Sequence, residues 1–152
     1  MIVTQTYRAR ARYRTFYQYG PHRLVVAVEC RVEGLSNSLV ALFDTGAEWS
    51  VLPTAIAQAI GLASEYDEPV EELSARGHKL TGRRVVIPLS FPAEEGDTLE
   101  LPNASWFISD AWVGPPIIGW SGCLEAFRFA FDPTEDNEYL YFDAYPNDVA
   151  DQ

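Results

Sequence analysis

The chain has 152 residues, 47% of them hydrophobic, which predicts a single domain with a packed core. Its formal net charge of −11 predicts repulsion from nucleic acids and anionic membranes, so neither is an expected partner. No apolar run is long enough to span a membrane, and the first 14 residues lack the apolar centre of a signal peptide. We therefore expect a cytoplasmic location.

Arginines alternate with aromatic or small residues between positions 7 and 14, a spacing that predicts a strand with one basic face. The C-terminal end is the opposite, because no basic residue follows Arg128 and the tail is acidic. Two interpretations of the arginines are open. They form either an arm that binds nucleic acid or a solvated face that pairs with the other terminus, and we favour the second.

Short apolar runs separated by turn residues follow along the chain. The pattern predicts strands over 23–33 and 39–43, a short helix over 53–60 that begins at Pro53 and ends at Gly61, and an acidic loop over 63–72. Residues 73–91 resemble a hairpin whose polar tip is bounded by two glycines, Gly77 to Gly82.

The last third of the chain also consists of short apolar runs separated by turn residues. A strand is predicted over 104–108, a chain break at 114–116, a short helix over 121–126 and a closing hairpin formed by 127–131 and 139–142. Strands are many and helices are few and short. We therefore predict a mainly β fold, a closed or partly open barrel.

One segment places a carboxylic acid inside an apolar run. In ALFDTGAEWSVLP, residues 41–53, Asp44 follows a predicted strand, and Thr45 and Gly46 then allow a tight turn. The Thr45 hydroxyl is expected to bond the backbone within that turn. An aspartate held rigidly at the end of a strand suits general acid or base chemistry.

Three segments together resemble the retropepsin-like aspartic proteases, single-lobed relatives of pepsin, of the bacterial type. They are ALFDTGAEWSVLP with the helix after it, the Gly-bounded hairpin ARGHKLTGRRVVI, and PPIIGW before the second helix. They occur in the family's order and together cover a core at about 22–145, which is most of the chain. The resemblance implies a single-lobed closed β-barrel with a flap hairpin over the site.

The resemblance also implies roles for particular residues. Asp44 would be the catalytic acid, and Thr45, Gly46 and Ala47 would support its loop. The segment Ile117, Ile118 and Gly119 would pack beneath that loop. The flap would consist of Gly77, His78, Lys79, Leu80, Thr81 and Gly82.

Only one Asp-Thr-Gly triplet is present, and the chain has the length of one lobe. The second carboxylate would therefore come from a second copy in a homodimer, with a peptide or protein as substrate. Many retroviral members have an arginine after the apolar-apolar-glycine segment, where this chain has Trp120. Any brace between the copies must therefore differ, and the oppositely charged termini are one candidate.

Other chemistries find little support in the sequence. The two histidines, His22 and His78, lack metal-ligand spacing, and no glycine-rich phosphate loop is present, so no metal or cofactor is expected. Cys30 and Cys123 are interpreted as semi-buried free thiols in a reducing compartment. The alternative to a protease is a non-catalytic module that binds peptides or a partner on the same fold, although an intact Asp-Thr-Gly with a flap-like hairpin favours the protease.

Overall fold

The computed structural model describes residues 6–17, 24–62, 70–134 and 138–145. His22, most of the predicted acidic loop and the acidic tail beyond residue 145 lie outside the described residues. The mainly β prediction is confirmed, because the described residues form thirteen strands, one α-helix and one short 3-10 helix.

The strands are β1 (Ala9–Arg12), β2 (Arg14–Tyr17), β3 (Leu24–Val32), β4 (Leu39–Phe43), β5 (Ser50–Pro53), β6 (Glu71–Ala75), β7 (His78–Val86), β8 (Leu89–Phe91), β9 (Leu99–Leu101), β10 (Ser105–Ser109), β11 (Ile117–Ile118), β12 (Phe127–Asp132) and β13 (Tyr139–Ala144). The helices are α1 (Thr54–Ala59) and the 3-10 helix Leu124–Ala126. Both lie within the two predicted helical segments.

The larger sheet follows the order β6-β7-β10-β5-β11-β4-β3-β8-β9, with β2 also paired to β3. The predicted closed barrel is not confirmed, because this path does not return on itself within the described residues. The long strand β3 pairs first with β4 and then, through Arg31 and Val32, with β8. Strand β3 thus has three neighbours among the described strands, β2, β4 and β8.

The smaller sheet has the order β1-β13-β12, so its centre is the closing hairpin predicted from the sequence. The N-terminal arginines do not form one strand, because the chain changes sheets at the buried residue Tyr13. Arg8 lies 3.7 Å from Asp143 of β13, and Arg10 stacks on Tyr139 at 4.1 Å. Arg8 and Arg10 thus contact β13 of the same chain, and Arg10 also forms an ion pair with Glu95.

A single apolar cluster joins the two sheets. Phe127 and Phe142 from the smaller sheet pack with Phe91 and Trp106 from the larger one, and all four are almost fully buried. A second cluster, formed by ten buried residues that include Leu42, lies on the other side of the larger sheet. This second cluster lies beneath the candidate site.

Candidate active site

Asp44 lies immediately after β4, at the start of the loop that leads into β5. Its backbone N–H donates to the carbonyl of Ile118 at 2.9 Å, and its own carbonyl accepts from Ala47 N–H at 3.1 Å. The carboxylate oxygen Oδ1 accepts from Gly46 N–H at 3.0 Å. The loop is therefore tied by the Asp44 carboxylate itself, whereas Thr45, expected to close the turn, is exposed.

The segment after β11 holds this loop from below. Trp120 N–H donates to the carbonyl of Ala47 at 2.8 Å, and Gly119 N–H donates to Ser50 Oγ at 2.9 Å. Strand β11 itself lies between β4 and β5, with Ile117 and Ile118 fully buried. The structure thus brings together two segments of the sequence, residues 44–50 and 117–120, that lie about 70 positions apart.

The hairpin of β6 and β7 turns at Arg76 and Gly77, which both have positive φ, 51° and 83°. The sequence interpretation of Gly77 to Gly82 as the tip is wrong in its extent, because the strand resumes at His78. Leu80 points into the core and is 1% exposed. Gly82 pairs with Glu71 rather than forming a turn, and its Cα lies against the backbone of β10.

The other residues that the sequence analysis assigned to the tip differ in their surroundings. Lys79 is exposed on the outer face of the hairpin. The His78 ring lies edge-on to Trp112 at 5.7 Å, and the carbonyl of Thr81 accepts from Ser109 Oγ at 2.8 Å. These contacts attach the hairpin to the strand and loop beside it.

The tip of the hairpin reaches Asp44 through Arg76, a residue that the sequence analysis did not single out. Arg76 Nη1 lies 2.7 Å from Asp44 Oδ2, and the two side chains are only 17% and 20% exposed. The contact spans 32 positions of sequence. Its only sequence signal is a large basic residue before glycine at a turn, which does not reveal the partner.

The inner face of the hairpin shares an apolar cluster with the aspartate loop. Ala75 and Leu80 of the hairpin, Ala47 of the loop and Ile117 of β11 belong to the second buried cluster. The hairpin is therefore seated on the layer that supports Asp44.

The side chain of Arg84 contacts those of Glu71 and Trp49 at the base of the same hairpin. Arg84 makes two hydrogen bonds to the Glu71 carboxylate, at 2.6 and 2.8 Å, and stacks over Trp49 at 4.6 Å. The Arg84 hydrogen bonds lower the pKa of Glu71 from its usual value. Trp120, which follows Gly119, is 44% exposed.

Metal-ligating clusters and cysteines were the other candidate groups in the sequence. Residues 6–17, 24–62, 70–134 and 138–145 contain no cluster of three His, Cys, Asp or Glu able to hold a metal ion. Cys30 and Cys123 are free and fully buried, and burial raises the pKa of each to about 12. Thiols in that state are poor nucleophiles. Within these same ranges, no helix is long and apolar enough to cross a membrane.

The fold is similar to that of retropepsin-like aspartic proteases. A crystal structure of a retropepsin-like aspartic protease from Rickettsia conorii superposes with a TM-score of 0.51 at 16% sequence identity. The match covers 76% of this chain and 88% of that one. No family model and no curated protein sequence matches the chain. At this identity the likeness concerns the fold.

Proposed function

We propose that this chain is an aspartic endopeptidase that acts as a homodimer, with Asp44 of each copy at the shared site. One observation carries the proposal. The single Asp-Thr-Gly triplet lies at the end of a buried strand, fixed by Gly46 and Ile118 and covered by a hairpin, on a fold similar to that of a known aspartic protease.

The chemistry follows from two carboxylates held close together. They cannot both be ionised at little cost, so the pair shares one proton. The ionised carboxylate takes a proton from water as the water oxygen attacks the scissile carbonyl carbon. The protonated carboxyl donates its proton to the carbonyl oxygen. Collapse of this tetrahedral intermediate breaks the C–N bond. The carboxyl that took the water proton gives it to the leaving amine, and the other carboxylate recovers its proton from a hydroxyl of the intermediate.

The surrounding residues would position the peptide and exclude water. The hairpin of β6 and β7 would close over the substrate, and Trp49 would line its path. The extended substrate backbone would pair with strand edges at the site. The cytoplasmic location remains a prediction from the sequence.

The test is digestion of a mixed peptide library by the wild type and Asp44→Asn, read by mass spectrometry. Asn is nearly isosteric but cannot accept the proton, so cleavage should be lost while the fold persists. Asp97→Asn, the same change at an exposed position, is the matched control and should cleave as the wild type does. Cleavage by Asp44→Asn at the wild-type rate would exclude the aspartic mechanism.

The homodimer is tested by sedimentation together with kinetics. We expect a species of about twice 17.0 kDa at micromolar concentration, and a specific activity that falls on dilution. A strict monomer that cleaves peptides with a rate proportional to its concentration would contradict the shared site.

A second candidate function is a non-catalytic peptide-binding or assembly module. The ion pair between Arg76 and Asp44 favours it, because a cation already occupies the candidate catalytic carboxylate. This function predicts saturable binding of peptides, or of a pepstatin-like inhibitor, by both wild type and Asp44→Asn without cleavage from pH 3 to pH 8. Cleavage by the wild type alone would reject it.

A further inference from the structure

We propose that Arg76 is a latch. Its guanidinium holds the carboxylate of Asp44 while the hairpin is closed, and the hairpin tip must release this contact before Asp44 can act on a substrate. The consequence for catalysis rests on the proposed function, whereas the latch itself is a property of the hairpin that can be measured without any activity.

In the closed state both oxygens of the Asp44 carboxylate are bonded, one by its own loop and the other by Arg76. Oδ1 accepts from Gly46 N–H at 3.0 Å, and Oδ2 accepts from Arg76 Nη1 at 2.7 Å. The second bond is charge-assisted and short, and such bonds are among the stronger ones in proteins. A general base must present an oxygen to the attacking water. In the closed state, Arg76 occupies a position on Oδ2 that water and the second carboxylate would need.

The contact is made by one of the two turn residues of the hairpin. Ala75 and His78 are the last paired residues, and Arg76 and Gly77 form the two-residue turn between them. The φ of +51° places Arg76 in a conformation that residues with a side chain adopt at a cost. Arg76 has this backbone conformation in the same structure in which its side chain contacts Asp44.

Apart from Arg76, the described residues of the tip make few contacts that would keep it closed. A β-carbon on Gly77 would meet no atom within 4 Å, Lys79 is exposed, and the exposed His78 lies edge-on to Trp112 at 5.7 Å. Further along β7, Leu80 is buried and Thr81 is bonded to Ser109. The buried part of β7 thus begins at Leu80, so the turn can move while the rest of the hairpin stays paired.

The pair is also accessible enough to be weakened by salt. Both side chains retain about one-fifth of their exposure, 17% for Arg76 and 20% for Asp44. Ion pairs that reach solvent are screened by mobile ions. Removal of Arg76 distinguishes a latch from a fixed cation that assists the reaction. Loss of a fixed cation would slow cleavage, whereas loss of a latch would not.

The first experiment measures hydrogen exchange of the amides of residues 77–79 in wild type, Arg76→Gln, Asp44→Asn and the double variant. Each single change should raise exchange about tenfold, as expected for loss of one charge-assisted bond, and the double variant should add little. Arg10→Gln, which breaks an arginine–glutamate pair on β1, is the control and should leave these amides unchanged. Unchanged exchange in both single variants would overturn the latch.

The second experiment measures peptide cleavage by wild type and Arg76→Gln at about 0.05 M and 0.5 M sodium chloride. A latch reduces the fraction of molecules able to bind substrate, so Arg76→Gln should lower KM up to about tenfold and leave kcat unchanged. Salt should lower the KM of the wild type more than that of the variant. A fall in kcat in Arg76→Gln would identify a fixed supporting cation and overturn the latch.

The two proposals fail in different ways. If the wild type and every variant cleave nothing, the protease function is rejected, and the exchange of residues 77–79 still decides whether Arg76 holds the hairpin to Asp44. If cleavage occurs but exchange does not respond to Arg76→Gln, the protease stands and the latch is rejected.

Discussion

A β-carbon at position 119 would lie 2.4 Å from the carbonyl carbon of Trp49, so the backbones of Gly119 and Trp49 are in closer contact than any residue but glycine allows. The neighbouring residue Trp120 bonds the carbonyl of Ala47. Together these two contacts hold the aspartate loop against the segment that follows β11.

Gly119→Ala should therefore lower the free energy of unfolding by about 3 kcal/mol, because two backbones must separate. Gly61→Ala is the matched control. Gly61 has a φ of +88° but open space around its Cα, so only conformational strain of about 1 kcal/mol is expected. Urea unfolding of the two variants checks the difference. Equal losses would contradict the close contact.

Leu80→Ala and Lys79→Ala test where the hairpin tip ends. Leu80 is 1% exposed and its neighbour Lys79 is exposed, although both were assigned to the flap tip from the sequence. Leu80→Ala should cost about 2–4 kcal/mol of stability through the cavity it leaves. Lys79→Ala should change stability by less than about 0.5 kcal/mol. Two equally small effects in thermal melts would restore the original assignment.

The buried thiols predict a loss of stability in alkali. The folded pKa of Cys30 and of Cys123 is about 12, whereas each thiol ionises near 9.0 when the chain is unfolded. Between these values the unfolded state has released a proton that the folded state keeps, so stability falls as pH rises. Each thiol contributes a slope of about 1.4 kcal/mol per pH unit.

Urea midpoints measured from about pH 8 to 11 check this slope. The double variant Cys30→Ala/Cys123→Ala should be less stable near neutral pH but should lose stability less steeply in alkali. The slopes are compared, rather than the absolute stabilities, because the substitutions also leave cavities. Parallel curves for the two proteins would contradict the prediction.

Arg84→Gln should raise the pKa of Glu71 toward its usual value of 4.5, because the hydrogen bonds from Arg84 are the main cause of its lowered pKa. A lowered folded pKa adds stability above the unfolded pKa, and that contribution is lost as pH falls through the folded pKa. Carbon-13 titration of the carboxylates is the measurement. The pKa of Asp132, lowered by its hydrogen bonds to Thr134, should not move and is the internal control. No change at Glu71 would mean that the pair does not form in solution.

Much of the fold could be predicted because local patterns determine it. The closing hairpin, the short helix after Pro53 and the strand that ends at Asp44 all follow from apolar alternation and turn residues. The tip of the hairpin could not be placed, since Gly77 and Gly82 are glycines for different reasons. Gly77 has a positive φ, whereas Gly82 must lack a side chain that would meet the carbonyl of Ile108. A sequence does not distinguish the two.

The contacts missed from the sequence are those between distant residues. Arg76 and Asp44 lie 32 positions apart, and neither has a local feature that indicates the other. The alternation of the N-terminal arginines was visible in the sequence. The change of sheet at Tyr13 was not, because it depends on the pairing of β1 with β13, near the C-terminus. Patterns report burial and turns, whereas pairing across the chain depends on the assembled core.

The position of β11 also determines when the site can exist during synthesis. The two strands that flank the aspartate loop, β4 and β5, are separated by Ile117 and Ile118, so the loop is not closed by a local hairpin. A growing chain that has reached β5 has the Asp-Thr-Gly triplet but not the strand that supports it. Because domains fold as units once their distant partners are available, the nascent chain carries no assembled candidate site until residue 120 has left the ribosome.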